Sequence, residues 1–406
     1  MSLRPTEDRP HSFTNSSIAF GKSALPNDFP RRGTQKIMGS RQTAFFFCIF
    51  LACSATSQET VARRPLLPTG RIIAARDMTT ARGGHTATVL PDFTILIAGG
   101  KKEHGMVLAT TEIYDPTTET FSPAGKMTVP REGHIAGVLE DSKILIAGGL
   151  TQKGVPLSSS EDYDYETRKF TPRGNMHSPR VHAVATVLRD GRVLVTGGED
   201  GTRTLDSAET YNVLTGKWTL TAKMTSPRAN HTATLLSDGR VLIVGGTGTR
   251  RSALATAEIF DPKTNRFTAT AKLHEPRSRH TDALLSNGNV LIAGGTPGAG
   301  RAPLASSEIY QPKTAVFAST GNLAEPRFRL PDSTALLDGR VLIVGGATSA
   351  EIYDPKTGTF RSAVGSLDTA RYDSAIVQLM DGTTRIFGGY NSSGVSTAKT
   401  WIYRPD

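Results

Sequence analysis

Seven Gly-Gly pairs, with the first glycine at Gly99, Gly148, Gly197, Gly245, Gly294, Gly345 and Gly388, recur at near-even intervals in this chain. Each pair closes a short apolar run such as Ile95-Leu96-Ile97-Ala98 or Val241-Leu242-Ile243-Val244, and the intervals are 49, 49, 48, 49, 51 and 43 residues. A unit of that size with one strongly apolar strand cannot bury its faces alone. Self-similarity at such a period therefore implies an array in which each unit stacks on its neighbours.

The fourth unit shows the plan. Ser226-Pro227-Arg228-Ala229-Asn230 leads into His231 and a β-rich run, then Asp238-Gly239, then the apolar strand and Gly245-Gly246. Asp-Gly between two such runs signals a hairpin, because a type I′ turn needs positive φ at both central positions. The signal recurs as Asp190-Gly191, Asn287-Gly288, Asp338-Gly339 and Asp381-Gly382. After a variable polar loop comes Ala257-Glu258-Ile259-Phe260-Asp261-Pro262, and Phe267 stands seven residues beyond Phe260. The same gap separates Tyr114 from Phe121, Tyr163 from Phe170, Tyr211 from Trp218, Tyr310 from Phe317 and Tyr353 from Phe360. Constant spacing predicts a third strand, an Asp-Pro type turn and an outer fourth strand. An apolar second strand that does not alternate is expected where a sheet is sandwiched between two others.

In these residues the chain resembles the kelch family, whose repeat carries Gly-Gly after the second strand, a Glu-x-Tyr-Asp element and an aromatic residue at a fixed distance. The match runs over residues 69–406 and all seven units, and it implies an all-β, seven-bladed β-propeller of four-stranded antiparallel blades. Five units place Phe where kelch repeats commonly place Trp, and Trp218 alone keeps it. The last unit ends after its third strand at Trp401-Ile402-Tyr403, whereas Thr69-Gly70-Arg71-Ile72 precedes Arg82 by the interval at which Thr264-Asn265-Arg266-Phe267 precedes Arg277. An N-terminal strand is therefore expected to complete the last blade and close the ring, removing exposed edges.

Both cysteines, Cys48 and Cys53, precede residue 56, and residues 42–55 contain an apolar run flanked by Arg41 and small residues. The run is too short to span a bilayer and has the layout of an export signal. The expected organisation is a tail or over-extended start at 1–37, a signal peptide at 38–55 with Cys53 as a candidate lipid-anchor site, a linker at 56–68, and the propeller at 69–406. Such a protein is expected in the periplasm, on the cell surface or secreted, and as a monomer. Formal charge is +10, of which +4 lies in residues 1–53, so the propeller is only mildly basic. That balance gives no footprint for nucleic acid.

In an up-and-down blade the loop from second to third strand and the link to the next blade emerge on one face, where binding usually resides. A ring of arginines recurs there: Arg82, Arg131, Arg180, Arg228, Arg277, Arg327 and Arg371. They are candidates for ligand contact, together with Arg279 and Arg329 in the links and Arg250 and Arg251 in a loop. The competing reading is a brace between blades, with Glu112, Glu161, Glu209, Glu258, Glu308 and Glu351 as repeated partners. Sixteen cations against nine acids in these segments predict a net-positive face that favours an anionic partner. His85, His134, His231 and His280 follow the ring arginine by three residues, and His182 follows by two. They are read as structural histidines, with no metal site and no cofactor expected. In the sixth unit Gly346 reaches Glu351 in five residues where others take eleven to thirteen, which should leave a notch in the rim. A ligand entrance, if present, is expected beside it.

The functional expectation is a non-catalytic binding module for protein or carbohydrate. The alternative is a carbohydrate-active enzyme of sugar mutarotase type, since kelch-type propellers also carry such activity. A copper-radical oxidase with a Cys–Tyr crosslink is excluded by the lack of cysteine after residue 53. A cytoplasmic adaptor is disfavoured by the apolar run at 43–52.

Overall fold

The computed structural model describes residues 69–331 and 333–406. The expected signal, the Cys53 anchor and the linker lie outside the described residues. Within them, seven four-stranded antiparallel sheets follow one another as the blades of a propeller. Blade four is built from Thr232–Leu235, Val241–Val244, Ala257–Asp261 and Arg266–Ala269, paired in sequence order. No described helix is long and apolar enough to cross a membrane.

The second strand of each blade explains why the ring holds together. Ile95–Ala98, Ile144–Ala147, Val193–Thr196, Val241–Val244 and Val290–Ala293 are buried at every position, because each packs against a sheet on either side. The apolar clusters accordingly sit in the seams between blades. One joins Leu145 and Ala147 of blade two to Val193, Val195 and Tyr211 of blade three. Fully burying an aliphatic side chain contributes about 1.5–3 kcal/mol, so each seam is worth many such contributions before the entropy of ordering is subtracted.

The aromatic pair seven residues apart is a cross-strand pair, as in Tyr114 with Phe121 at 4.8 Å and Tyr211 with Trp218 at 5.1 Å between ring centroids. Trp218 also donates its indole N–H to the carbonyl of Gly174 in the preceding link at 2.9 Å. Phenylalanine fills the same gap without that bond.

The seventh blade consists of Ala375–Gln378, Thr384–Phe387 and Thr400–Arg404, and Arg71–Ala75 pairs with the last of these in the register Arg71 to Arg404 and Ala75 to Thr400. The closing strand thus extends three residues beyond Ile72. Its N-terminal end is fastened by Gly70 N–H to Asp406 Oδ2 at 2.6 Å and by Ile72 N–H to the Val364 carbonyl at 2.7 Å. The sixth blade departs from the pattern: its innermost strand shrinks to Thr334–Ala335, preceded by Leu330-Pro331. Proline there removes a ladder donor.

Candidate site at the mouth of the channel

The seven ring arginines stand in the links that lead into each blade's first strand, and the structure buries them. Arg82, Arg131, Arg180, Arg228, Arg277 and Arg327 are at most 1% exposed. Arg228 is representative: Nη1 donates to the carbonyls of Gly245 at 2.7 Å and Thr256 at 3.2 Å, and Nη2 donates to Glu258 Oε1 at 2.6 Å. Glu258 in turn accepts the Thr225 backbone N–H at 2.7 Å. The same ion pair joins Arg82 to Glu112, Arg131 to Glu161, Arg180 to Glu209, Arg277 to Glu308 and Arg327 to Glu351. Burial lowers these guanidinium pKa values, and the facing carboxylate opposes the shift. In the seventh blade Trp401 stands where the others have Glu, so Arg371 pairs with Asp368 instead and is 5% exposed. The assignment of these seven to ligand contact is therefore corrected: six have their fork tips spent inside the fold, tying link to loop to third strand, and Arg371 is held by Asp368 of its own link.

The histidines that follow them are also structural. His134 Nε2 meets Thr86 Oγ1 at 3.0 Å, His231 meets Thr196 at 2.8 Å and His280 meets Thr232 at 3.1 Å, each across a seam. Burial beside an arginine pushes His134 and His280 down to about 3, so they stay neutral. Among the described residues no group of three or more His, Cys, Asp or Glu side chains could hold a metal ion.

The position two residues after each ring arginine behaves differently. Gly84, Gly133, His182, Asn230, Arg279, Arg329 and Asp373 all have φ between 50° and 62°. Their backbones join in a collar around the axis: Gly84 N–H donates to Asp373 O, Gly133 to Gly84, Asn230 to His182, Arg279 to Asn230, Arg329 to Arg279 and Asp373 to Arg329, at 2.8–3.4 Å. Successive carbonyls can point to the next blade only if each residue turns left-handed, which Gly, Asn and Asp tolerate best. The link residue before the collar also bridges to the residue after Gly-Gly, as in Gly83 with Lys101, Val181 with Glu199 and Tyr372 with Tyr390. Links and loops therefore share the face at which the collar opens.

Residues 84–295 match the model of the KLHDC2/KLHL20/DRC7 kelch-repeats domain. This chain belongs to the kelch-repeat family. One solved structure similar to this kelch propeller is a fungal alcohol oxidase of the AA5 family in complex with copper, at 17% identity and a TM-score of 0.67, covering 83% of this chain and 76% of that one. At that identity the likeness is one of fold. No curated protein matches this kelch chain.

Side chains from several blades meet at the mouth of this kelch ring. Tyr390 of blade seven lies across blade one, where a Cβ on Gly83 would come within 2.6 Å of its ring, and its hydroxyl donates to the Gly83 carbonyl at 2.9 Å. It clusters with Leu150 and Val181 of blades two and three, forming an apolar floor. Around that floor stand Lys101, Glu132, His182, Glu199, Arg279, Arg329 and Asp373. Lys101 Nζ is 3.6 Å and the Tyr390 hydroxyl 3.5 Å from the Glu132 carboxylate. Burial raises Glu132 to about 7 against the pull of Lys101 and Tyr390. Burial also pushes Tyr390 well above its ordinary range, with Glu132 adding to the shift. Burial takes Arg279 down to about 10, while Asp373 and Glu199 oppose the change and Arg329 reinforces it. Glu199 is held below the usual carboxylate range by His182.

Of the candidates named from sequence, Arg279 and Arg329 are half-buried on the collar, and Arg250 and Arg251 are exposed in a blade-four loop. The structure brings the first two together and leaves the second two on the rim. Sequence reasoning counted Glu132, Glu199, Lys101 and Asp373 only as charges on a face. It missed Tyr390 and the floor altogether. The available signal was the set Gly84, Gly133, Asn230 and Asp373 at one repeat position, since that mixture marks a left-handed backbone.

Proposed function

We propose that this kelch propeller is an exported, monomeric and non-catalytic binding module that takes an anionic group of a glycan or protein at the mouth of its axial channel. The observation that carries the reading is the convergence of Arg279 and Arg329 on the collar. The repeat does not demand arginine there: the equivalent positions in other blades hold Gly, His, Asn and Asp. Kelch repeats commonly bind proteins, which supports a binding role. The apolar run at 43–52 supports export, and a lipid anchor at Cys53 belongs to the same proposal.

The test is a glycan and peptide screen of the full chain at two salt concentrations, with Arg279→Ala and Arg329→Ala as variants. Charge-assisted binding weakens with salt and with either variant. Salt-insensitive binding to neutral ligands that ignores both variants would refute it. One observation favours a second reading, a sugar mutarotase-like enzyme: a carboxyl poised near neutrality beside Lys101 and Tyr390 is suited to general acid–base work. Loss of accelerated anomer exchange in Glu132→Gln would mark that case.

A further inference from the structure

The links into the sixth and seventh blades present a pair of aromatic rings that the other links lack. Phe328 and Tyr372 occupy the link position next to the collar, where the remaining blades carry Gly83, Glu132, Val181, Ala229 and Ser278. Their ring centroids are 5.8 Å apart with a 56° tilt, and both side chains are half-buried. In blades one to five and seven the residue at this position is bridged to the residue after Gly-Gly. No such bridge engages Phe328 among the described residues.

The cause is the short loop. Arg327 donates to the Ser349 carbonyl at 2.9 Å and to Glu351 at 2.6 Å, so the chain runs from Gly346 to its anchor within five residues. In blade four the matching anchor, Thr256, is reached only after a loop that includes Arg250, Arg251 and Ser252. Nothing of that length arches over Phe328.

Arg329 completes the place. Its guanidinium lies 5.4 Å from the centre of the Tyr372 ring and its Nε donates to Asp373 Oδ2 at 3.2 Å. Its Nη2 is bonded to the same carboxylate oxygen, whereas its Nη1 makes no hydrogen bond to any described residue. One edge of the fork is held by protein and the other remains available, with the side chain 18% exposed. Asp373 thus fixes the orientation of the group without using all five donors.

We propose that Phe328, Tyr372 and Arg329 form a subsite for a hexuronate residue of an acidic polysaccharide, with Phe328 as the stacking platform and Arg329 as the carboxylate contact. A pyranose presents weakly positive C–H groups on one face, which suit the negative face of an aromatic ring. A carboxylate on the same sugar completes a charge-assisted pair with the open edge of the guanidinium. An acidic peptide would use the arginine but has no need of the platform. This proposal rests on the anion-binding reading of the mouth and names its ligand class.

Isothermal titration of the full chain with trigalacturonate, maltotriose and a hexaglutamate peptide tests it. Trigalacturonate is expected to bind, with Phe328→Ala weakening it at least tenfold, Phe328→Trp retaining it, and Arg329→Gln weakening it and flattening its salt dependence. Unchanged melting temperatures of the variants separate lost contact from lost fold, and quenching of the new indole in Phe328→Trp reports occupancy directly. Trigalacturonate binding that Phe328→Ala leaves unchanged, or maltotriose bound as tightly, overturns the subsite while the anion-binding reading stands. Hexaglutamate alone binding has the same meaning. If neither acidic probe binds, the anion-binding reading fails as well.

Discussion

Replacing Arg228 by methionine tests the assignment of the ring arginines to bracing. The side chain is fully buried and supplies donors to two carbonyls and to Glu258, which is itself buried to within 1%. Methionine fills most of the volume but leaves the Glu258 charge with only the N–H groups of Thr225 and Ser226. Breaking a buried pair on one side costs about 3–5 kcal/mol, most of it the uncompensated charge. Arg371→Met is the internal control. Its partner Asp368 is 28% exposed and keeps Lys399 at 2.9 Å, so the expected loss is about 1–2 kcal/mol. Urea unfolding followed by tryptophan fluorescence gives both losses from midpoints at constant slope. Adding Glu258→Leu to Arg228→Met should recover much of the stability, because the stranded charge is then gone. Equal losses for the two arginines, or a loss below about 1 kcal/mol for Arg228→Met, would refute the reasoning.

Three further outcomes are expected. Burial raises Glu132 from its ordinary 4.5 to about 7 in the folded state, so the native state holds its proton more tightly than the unfolded chain. Its contribution is then most favourable below pH 4.5 and declines by about 3 kcal/mol as pH rises through 7, a slope that Glu132→Gln removes in unfolding curves taken from pH 5 to 8. Gly83→Ala drives a methyl into the Tyr390 ring and should cost about 1–3 kcal/mol, measured by thermal melting. In a Tyr390→Ala background the same change should cost almost nothing, a coupling seen in a double-mutant cycle. Ile73→Pro removes a backbone donor on the side facing Ile402, because the neighbouring Ile72 N–H points the other way to Val364, so light scattering should show self-association through the loosened Thr400–Arg404 edge.

The ring was legible because its determinants are local and repeated. Asp238-Gly239 specifies its own turn, Val241–Val244 declares burial on both faces, and the Phe260 to Phe267 gap reports a hairpin register that does not depend on the rest of the chain. Even closure could be read, since a missing strand at one end matched a surplus strand at the other. The mouth was harder for a physical reason. Its groups converge from blades as much as 307 residues apart in sequence, as Tyr390 and Gly83 show, and no spacing rule connects them. Repetition also misled: Arg82 and its six equivalents stood out because they recur, and recurrence is what a brace needed in every seam produces. The residues that vary at a fixed position, such as Arg279 and Arg329, carried the individual character of the chain.

The collar has an evolutionary consequence. The hydrogen bonds that run from blade to blade around the collar are made between backbones, so they set no side chain as long as the residue accepts a left-handed turn. Non-glycine residues pay about 1–2 kcal/mol for that turn, and β-branched ones pay more, which limits the alphabet to a handful of mostly polar types. Substitution within that alphabet leaves the seams, the braces and the closure untouched. The mouth can therefore be respecified one socket at a time, and related rings with the same skeleton can diverge in what they recognise without passing through an unstable intermediate.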